Sequence, residues 1–337
     1  MLAASSDPLT VAYDLAMLDL DGVVYIGRDA VPGAADHLRR TRDAGMRTAF
    51  ITNNAARPPE LVAGHLTELG VPSEVADVVT SAQAAAHLLL ERFGEGARIV
   101  RLGGDGLQAA LLEVGLVPVE AEDDAVAVVS GYGPDVLWRD IMRVAVRVRD
   151  GLPWLASNGD LSIPTTFGVA PGHGVLVQTI AGFAGVQPVV AGKPQRPLLD
   201  ETVRRVGGER PLMVGDRLDT DIEGARNAGI DSLLVMTGVT GLAELVGARA
   251  EHRPTYVAAD LGGLLTPHPA PTEEGTDWTA GGWRARVGDG RLEVAGEGSV
   301  DDWWRVVAAA GWAHHDATGT VADITALGVP DPAGVDG

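Results

Sequence analysis

Short apolar runs alternate with longer amphipathic stretches over most of the chain. Residues 13–21 form a nearly continuous apolar run that ends in acids, which is typical of a buried parallel strand, and residues 46–54 predict a second strand. The stretches after them, residues 31–45 and 58–70, end in glycine and predict helices. The same pattern predicts strands at 97–103, 116–120, 125–132, 153–158, 188–193, 210–216 and 232–238, and helices at 81–94 (N-capped by Ser81), 105–115, 134–151, 174–185, 197–206 and 219–228. Alternating strands and helices predict an α/β fold with parallel sheets.

The character of the chain changes near its end. A linker rich in proline and acids is predicted at residues 266–275, and five of the seven tryptophans follow it. Residues 283–296 predict a hairpin with an Asp289-Gly290 turn, and residues 299–316 predict a helix capped by Ser299. We therefore expect a small α+β region over 276–330, with its tryptophans in a core or an interface and a frayed end at 327–337.

Composition excludes several classes of function. The 337 residues carry a net charge of −20, which argues against binding nucleic acid or an anionic membrane surface. The absence of cysteine excludes disulfides, thiolate metal sites and a cysteine nucleophile. We find neither a long apolar run nor a signal-peptide pattern at the N-terminus. These features predict a cytoplasmic enzyme without a membrane insertion, and they leave a small anionic substrate open.

Two acids stand where the first strand runs out. Asp19 and Asp21 would point to the same side of an extended strand, and Gly22 allows a tight turn after them. Sites of open α/β sheets lie at the carboxyl ends of the strands. One carboxylate could attack an electrophile there while the other handles protons. Two acids that merely cap a strand end are the alternative.

A second acidic group follows the strand predicted at 210–216. Asp216 is the better metal candidate, whereas Asp219 is well placed as the N-cap of the next helix and Asp221 follows it. Clustered carboxylates without histidine or cysteine favour a hard cation, and Mg²⁺ is the usual one when a phosphate is bound.

Polar residues also follow two further strands. Thr52, Asn53 and Asn54 could bind phosphate oxygens, although such residues are equally common in turns. Lys193 is the single lysine among 26 lysines and arginines. Its compact ammonium can bridge a nucleophile and a phosphate oxygen as a point charge, which a planar guanidinium does less well.

Together these residues resemble the haloacid dehalogenase superfamily. The closest resemblance is to its class IIA, the para-nitrophenylphosphatase-like enzymes, and it covers about residues 12–265. The motifs that carry it are Asp-x-Asp-Gly-Val at 19–23, Thr-Asn-Asn at 52–54, Gly-Lys-Pro at 192–194 and Gly-Asp-x-x-x-x-Asp at 215–221. It implies a Rossmannoid parallel-sheet core with an inserted α/β cap.

The resemblance also implies roles. Asp19 would be the nucleophile that becomes an aspartyl-phosphate, and Asp21 would be the general acid and then the base. Mg²⁺ would be held by Asp19, the main-chain carbonyl of Asp21 and Asp216, with Asp221 in support.

The phosphate would be held by Thr52 and Lys193, with help from backbone N–H groups near Asn53 and Asn54.

The implied domains are a catalytic core at 12–80 and 186–265 and a cap at 81–185. Thr52 and Lys193 are 141 positions apart, far more than the roughly 30 residues of a βαβ unit, and the cap accounts for the surplus. The loops at 157–165 and 170–175 are candidates for substrate specificity, through Asn158, Asp160 and His173. His173 could equally be an exposed loop residue. The resemblance further implies a homodimer formed through the cap.

The C-terminal region narrows the expected substrate. A class IIA phosphatase with such a region resembles the glycerol-3-phosphate phosphatases of high-GC bacteria, enzymes of glycerophospholipid metabolism whose tail is like a fragment of an acetyltransferase. A phosphatase for phosphoglycolate, pyridoxal phosphate or a sugar phosphate, and a non-catalytic ligand sensor, are the alternatives. Gly104-x-Gly106-x-x-Ala109, followed by Glu120, also resembles a dinucleotide fingerprint, although tight helix–sheet packing explains the glycines without a cofactor.

Overall fold

The computed structural model describes residues 1–165 and 167–330, so the predicted fraying of residues 331–337 lies outside the described residues. The strands are β1 (Leu15–Leu18), β2 (Tyr25–Ile26), β3 (Asp29–Ala30), β4 (Arg47–Thr52), β5 (Val78–Thr80), β6 (Arg98–Leu102), β7 (Val117–Val119), β8 (Ala127–Ser130), β9 (Trp154–Ala156), β10 (Ser162–Thr165), β11 (Gly168–Pro171), β12 (Val189–Val190), β13 (Pro211–Gly215), β14 (Asp231–Val235), β15 (Tyr256–Ala258), β16 (Thr272–Glu274), β17 (Asp277–Ala280), β18 (Trp283–Gly288) and β19 (Arg291–Gly296). The helices are α1 (Leu9–Ala12), α2 (Ala34–Asp43), α3 (Pro59–Glu68), α4 (Ser81–Phe93), α5 (Asp105–Glu113), α6 (Trp138–Arg149), α7 (His173–Ala184), α8 (Pro197–Val206), α9 (Glu223–Ala228), α10 (Leu242–Val246) and α11 (Val300–Thr318). Short 3-10 turns lie at Val75–Asp77, Ala250–His252 and Leu261–Leu265, and a π-helical turn at Leu218–Ile222. The predicted α/β class is confirmed.

The chain folds as two compact units. The first unit holds residues 1–48 and the chain from Gly208 onward, and the second unit holds residues 49–207. The predicted catalytic core is therefore divided between the two units, while the predicted cap, residues 81–185, lies within the second. The division into core and cap remains a prediction.

The first unit is built on parallel strands in the order β15-β14-β13-β1. Leu15 lies beside Pro211 in the register of β1 and β13, and Leu212 lies beside Asp231 in that of β13 and β14. All four residues of β1 are buried, as expected for a strand covered on both faces. The carboxyl ends of β1 and β13 consequently lie side by side.

An antiparallel sheet in the order β16-β17-β18-β19 and helix α11 form the C-terminal region. The predicted Asp289-Gly290 turn is confirmed, with both residues at positive φ (49° and 77°), as a type I′ hairpin turn requires. Ser299 is confirmed as the N-cap residue of helix α11, because the Asp302 N–H donates to Ser299 Oγ at 3.1 Å. The predicted linker at 266–275 is wrong in part, since Thr272–Glu274 is a strand of this sheet.

The C-terminal region shares one hydrophobic core with the parallel strands of the first unit. Trp303 and Trp312 of α11 are buried together with Leu234 of β14 and Val257 of β15. The indole N–H of Trp312 donates to the Leu245 carbonyl at 2.7 Å, which satisfies its buried polar atom. These tryptophans are therefore core residues, as predicted.

The second unit contains a parallel sheet in the order β12-β9-β8-β6-β7. Its core is formed by this sheet with α6 and α7, and Trp154, Val128 and Ile180 are buried there. The structure differs from the prediction at two places. Strand β12, predicted as part of the catalytic core, pairs with β9 of this sheet. Residues 162–165 and 170–171 of the two predicted loops lie in the antiparallel hairpin β10–β11, and residues 173–175 begin α7. Among the helices that the structure describes, none combines the length and apolar character needed to cross a membrane.

Two buried histidines make the fold sensitive to acid. Burial lowers the pKa of His173 to about 4. Burial, together with the charge of Arg305, likewise lowers the pKa of His268 to about 4. The imidazole Nε2 of His268 lies 2.7 Å from the Gly263 carbonyl and must donate to it, so its Nδ1 accepts from Arg305 at 3.2 Å. Both rings are neutral in the folded chain.

We expect the free energy of unfolding to fall between pH 7 and pH 5. The unfolded chain binds protons on these histidines near pH 6.5, whereas the folded chain does so only near pH 4, so stability is lost as the pH falls through this window. The loss is about 2 kcal/mol for each histidine at pH 5. Urea unfolding at the two pH values measures it, and the His268→Gln variant should lose about half of the difference. An unfolding free energy that is the same at pH 7 and pH 5 would contradict the assignment.

Candidate active site

Three carboxylates converge at the ends of β1 and β13 in the first unit. One oxygen each of Asp19, Asp216 and Asp221 lies within 4.8 Å of the others, and Asp216 and Asp221 are fully buried. Asp19 follows β1 directly, and its N–H donates to the Val214 carbonyl of β13 at 2.9 Å. Parallel pairing of the two strands thus brings acids that are far apart in sequence to one edge of the sheet.

Main-chain groups hold Asp221 in place. Its Oδ2 accepts the N–H groups of Asp216 (3.2 Å) and Arg217 (3.1 Å), so the carboxylate is fixed beneath the end of β13. A Cβ at Gly215 would overlap the Asp221 carboxylate, which explains why glycine precedes Asp216. These contacts fix the place of the Asp221 carboxylate, and its support of the metal remains a prediction.

A loop after β14, which the sequence analysis did not single out, holds Asp216. The Val239 N–H donates to Asp216 Oδ2 at 2.6 Å, and the Thr240 N–H donates to the Asp216 carbonyl at 3.1 Å. A Cβ at either Gly22 or Gly238 would overlap the Asp216 carboxylate. The sequence feature that could have indicated this loop is Gly238, which lies three residues after the end of the parallel strand β14.

The cluster fits a hard divalent cation. Three carboxylates at this separation repel one another, and a bound dication relieves that repulsion and keeps all three ionised. An all-oxygen donor set without histidine or cysteine suits Mg²⁺ or Ca²⁺ rather than zinc. The hydrogen bonds from main-chain N–H groups leave the orientations of Asp216 and Asp221 set in advance.

The structure corrects the reasoning about Asp21. Strand β1 ends at Leu18, so strand alternation does not extend to Asp21. Residues 20–25 form a turn in which the Val24 N–H donates to the Leu20 carbonyl at 2.9 Å, and Asp21 is exposed. The proton-transfer role of Asp21 and the metal contact of its carbonyl remain predictions.

The structure also corrects the expectation for Asp219. The following helical turn begins without a side-chain cap. Asp219 instead accepts two hydrogen bonds from the Arg217 guanidinium, at 3.0 and 2.8 Å. The N–H groups of Asp216 and Arg217 donate instead to the Asp221 carboxylate. Asp219 therefore forms a surface ion pair.

In the second unit, Asn53 and Lys193 contact each other through hydrogen bonds in both directions. The Lys193 N–H donates to Asn53 Oδ1 at 2.8 Å, and Asn53 Nδ2 donates to the Lys193 carbonyl at 3.0 Å. Lys193 is only 3% exposed, and its peptide bond to Pro194 is cis. The predicted proximity of the Thr-Asn-Asn and Gly-Lys-Pro motifs is thus seen within this unit.

Thr52 and Asn54 form a tight turn after β4. The Asn54 N–H donates to Thr52 Oγ1 at 3.0 Å, and the Ala56 N–H donates to Asn54 Oδ1 at 2.9 Å. Because Thr52 Oγ1 accepts a hydrogen bond here, its own O–H remains a donor for another acceptor. The turn alternative thus holds for Asn54, and phosphate binding by Thr52 and Asn54 remains a prediction.

Asn158 and Asp160 surround Asn53. Asn158 is buried and donates from Nδ2 to the Asn53 carbonyl at 2.7 Å. Asp160 Oδ1 accepts from Asn53 Nδ2 at 3.0 Å. Both side chains thus contact Asn53, and their contact with substrate remains a prediction.

The alternative that His173 is an exposed loop residue is wrong. His173 begins α7 and is 3% exposed, with Nε2 at 3.2 Å from Ser130 Oγ. Ser130 also accepts from the indole N–H of Trp154 at 2.9 Å. A ring enclosed in this way supports the packing of α7, and the contact of His173 with substrate remains a prediction.

Tight packing explains the glycines of the dinucleotide-like fingerprint. A Cβ at Gly106 would overlap the main chain of residues 55–57, and the Gly106 N–H donates to the Ala56 carbonyl at 3.0 Å. The N-terminus of α5 is thus covered by the protein's own backbone.

Helix capping also differs from the prediction for α4, where the N-cap is Thr80, paired with Gln83, and not Ser81.

Comparison with known proteins places these features in a family. A family model described as haloacid dehalogenase-like hydrolase matches residues 16–117, and a second, described as HAD-hydrolase-like, matches residues 190–264. The matched ranges contain the acidic cluster, the Thr-Asn-Asn motif and Lys193.

Individual relatives agree. The chain is 42% identical to the D-glycerol 3-phosphate phosphatase of Mycobacterium tuberculosis over 297 residues, which is 86% of this chain and 80% of the relative. It is 34% identical to the acid sugar phosphatase of Staphylococcus saprophyticus over 255 residues, 75% of this chain and 97% of the relative. A crystal structure of glycerol phosphate phosphatase from M. tuberculosis in complex with magnesium superposes with a TM-score of 0.83 at 39% identity, covering 91% of this chain and 92% of that one. The resemblance found in the sequence is confirmed.

Proposed function

Since the chain belongs to the haloacid dehalogenase-like hydrolases, we propose that it hydrolyses glycerol 3-phosphate, with Mg²⁺ as its cofactor. The chain is a phosphoric monoester hydrolase, the class to which its named relatives belong. The observation that carries the proposal is the cluster of Asp19, Asp216 and Asp221, whose oxygens suit the metal found in the related crystal structure.

The extent of similarity supports the substrate. The alignment with the magnesium-bound glycerol phosphate phosphatase covers 91% of this chain. The residues that it leaves unaligned are fewer than the residues of the C-terminal region, so part of that region must be aligned. The alignment with the acid sugar phosphatase covers 75%. Likeness that reaches into the C-terminal region therefore favours glycerol 3-phosphate over a sugar phosphate.

The proposed reaction begins with Asp19. One of its carboxylate oxygens attacks phosphorus, the bond from phosphorus to the glycerol oxygen breaks, and an aspartyl-phosphate forms. Asp21 gives its proton to the departing alkoxide, so that glycerol leaves neutral. The position of Asp19 at a strand end, held by its N–H on Val214, presents the nucleophile from a rigid element.

Hydrolysis of the aspartyl-phosphate completes the cycle. Asp21, now ionised, takes a proton from a water molecule that attacks phosphorus, and the bond to Asp19 breaks. Inorganic phosphate leaves and both carboxyl groups return to their starting states. The exposure of Asp21 suits a group that exchanges protons with both alcohol and water.

Charge on the phosphate must be balanced throughout. Bound at the acidic cluster, Mg²⁺ would neutralise charge on the transferring phosphoryl group. We propose that the Lys193 ammonium and the Thr52 hydroxyl bind its remaining oxygens, with main-chain N–H groups near Asn53 and Asn54 in support.

A panel of phosphomonoesters tests the proposed substrate. We expect release of inorganic phosphate from glycerol 3-phosphate with kcat/KM at least about tenfold above that for sugar phosphates, phosphoglycolate or pyridoxal phosphate, because pocket contacts to a leaving group are worth about 1–3 kcal/mol. Release should stop when EDTA removes the metal and return with added Mg²⁺.

Other outcomes are equally informative. Preference for a sugar phosphate, the second candidate that the S. saprophyticus relative suggests, would replace the substrate and keep the mechanism. No release from any compound of the panel would overturn the enzymatic function in favour of a ligand sensor.

We also propose the cytoplasm as the compartment and a homodimer as the assembly. Support for the dimer comes from α6 in the second unit, where Trp138, Met142 and Val146 recur at helical spacing and are exposed. Trp138 is 63% exposed and Met142 51%, an unusual amount of apolar surface for one helix face.

A further inference from the structure

We infer that Asn53 is a positioning residue for Lys193, and that its side chain holds the lysine main chain instead of binding phosphate. The inference lies within the second unit and rests on the proposed function only in that Lys193 binds the phosphate. It assigns Asn53, Asn158 and Asp160 a shared task, which replaces the direct contact with substrate expected from their place in the sequence.

The contact between Asn53 and Lys193 has two points. Asn53 Oδ1 accepts the Lys193 N–H at 2.8 Å while Asn53 Nδ2 donates to the Lys193 carbonyl at 3.0 Å. One planar amide thus pairs with both polar groups of a single residue, as a neighbouring strand would. Two such bonds fix the orientation of the lysine main chain as well as its position, and with it the direction of the Cα–Cβ bond.

The amide of Asn53 has no donor to spare for a phosphate. Its NH₂ group carries two hydrogens, and it donates to the Lys193 carbonyl and to Asp160 Oδ1, at 3.0 Å each. A phosphate oxygen would have to displace one of these acceptors. Asn53 is also 92% buried, so displacement would leave a polar group without a partner away from water.

A second layer holds Asn53 itself. Its carbonyl accepts from Ser81 Oγ at 2.6 Å and from Asn158 Nδ2 at 2.7 Å, which fills both lone pairs. Asn158 Oδ1 in turn accepts the Asp160 N–H at 3.2 Å. The segment after β9 and the start of α4 therefore set the position of Asn53, and through it that of Lys193.

Close packing completes the arrangement. A Cβ at Gly192 would lie 2.6 Å from Asn53 Oδ1 and 2.7 Å from the Ser157 carbonyl, both far inside van der Waals contact. Only glycine lets the main chain before Lys193 approach the Asn53 amide. Gly192 and Asn53 therefore serve the same contact, the close approach of the main chain at Lys193 to the Asn53 amide.

Such a device matters because a lysine side chain is long and flexible. Ordering the four rotatable bonds of the lysine side chain already costs entropy. The ammonium is therefore held at one point only if the main chain that carries the side chain is also fixed. Small displacements of a charge that stabilises a transition state reduce turnover substantially.

The single lysine makes the inference directly measurable. Labelling the protein with ¹⁵N-lysine, in a form whose tag lacks lysine, yields one backbone amide signal, that of Lys193. We expect hydrogen exchange at this amide to be slow in the wild type. In Asn53→Ala it should be about tenfold to hundredfold faster, because the removed acceptor leaves the N–H unsatisfied.

Activity provides the second readout. With glycerol 3-phosphate, kcat of Asn53→Ala should fall about tenfold to hundredfold, with a smaller change in KM, because misplacement weakens the transition state more than the ground state. The matched control is Asn227→Ala, the same substitution at an exposed position of α9 in the first unit. It should change neither exchange nor kcat.

Two results would overturn the inference: unchanged exchange at Lys193 in Asn53→Ala, or fast exchange combined with wild-type kcat. If Asn53→Ala does not fold, Ser81→Ala replaces it, since it removes one bond to the Asn53 carbonyl and should accelerate exchange by a smaller factor. A wild type without phosphatase activity would refute the proposed function, whereas the exchange measurement would still decide the role of Asn53.

Discussion

Asp19→Asn is expected to lower kcat by at least about 10⁴-fold, because an amide oxygen cannot form the acyl-phosphate bond that carries the reaction. The substitution keeps the size of the side chain and the main-chain bond to Val214, so the fold should persist. It also removes one of three carboxylates from the cluster and should weaken Mg²⁺ binding.

Phosphate release and trapping of the aspartyl-phosphate measure the effect together. Radiolabelled substrate, quenched in acid, should leave label on the wild type and none on Asp19→Asn. Asp219→Asn is the matched control, since it makes the same change in an exposed ion pair with Arg217, and it should keep nearly full activity. Turnover of Asp19→Asn within tenfold of the wild type would show that another group is the nucleophile.

Lys193→Arg is expected to fold and to lose about 10²- to 10³-fold in kcat. Lys193 is 3% exposed, so the larger planar guanidinium meets packed surroundings where a compact ammonium fits. Positive charge is retained, which separates the effect of geometry from that of charge. The hydrogen bonds between its main chain and Asn53 do not depend on the side chain, so the local main chain should be preserved.

Kinetics at saturating Mg²⁺, with circular dichroism as the check on folding, measure this variant. Arg196→Lys is the control, because it makes the reverse exchange at an exposed ion pair with Asp200 in the same segment and should leave kcat unchanged. Wild-type turnover in Lys193→Arg would mean that the lone lysine reflects chance in an arginine-rich composition.

Local features of the chain were predictable because their causes are local. The Asp289-Gly290 turn needs positive φ at both positions, and Ser299 caps α11 through an N–H three residues away. Errors arose where two neighbours compete for one local role. Thr80 rather than Ser81 caps α4, and Asp221 rather than Asp219 takes the N–H groups after β13.

The acidic cluster was predictable in outline for a different reason. Asp19 and Asp216 each end an apolar run, and parallel pairing of such strands brings their carboxyl ends together whatever the details of packing. The loop that supplies the Val239 N–H to Asp216 was not predictable, since its approach depends on where the chain turns after β14.

By itself the sequence determined the α/β class and the strand-end motifs, because these follow from periodicity and from the order of residue types, and the resemblance carried by those motifs indicated the family. Only the tertiary structure decided what the polar residues around those motifs contact. Asn53 and Lys193 are 140 positions apart, and Asn53 and Asp160 are 107 apart. Periodicity carries no information on such pairs, since packing of whole elements brings them together. Asn53, Asn158 and Asp160 are candidates for binding phosphate or substrate in the sequence, and in the folded chain hydrogen bonds join Asn158 and Asp160 to Asn53, and Asn53 to the main chain of Lys193. The positioning role that we propose for Asn53 rests on these bonds.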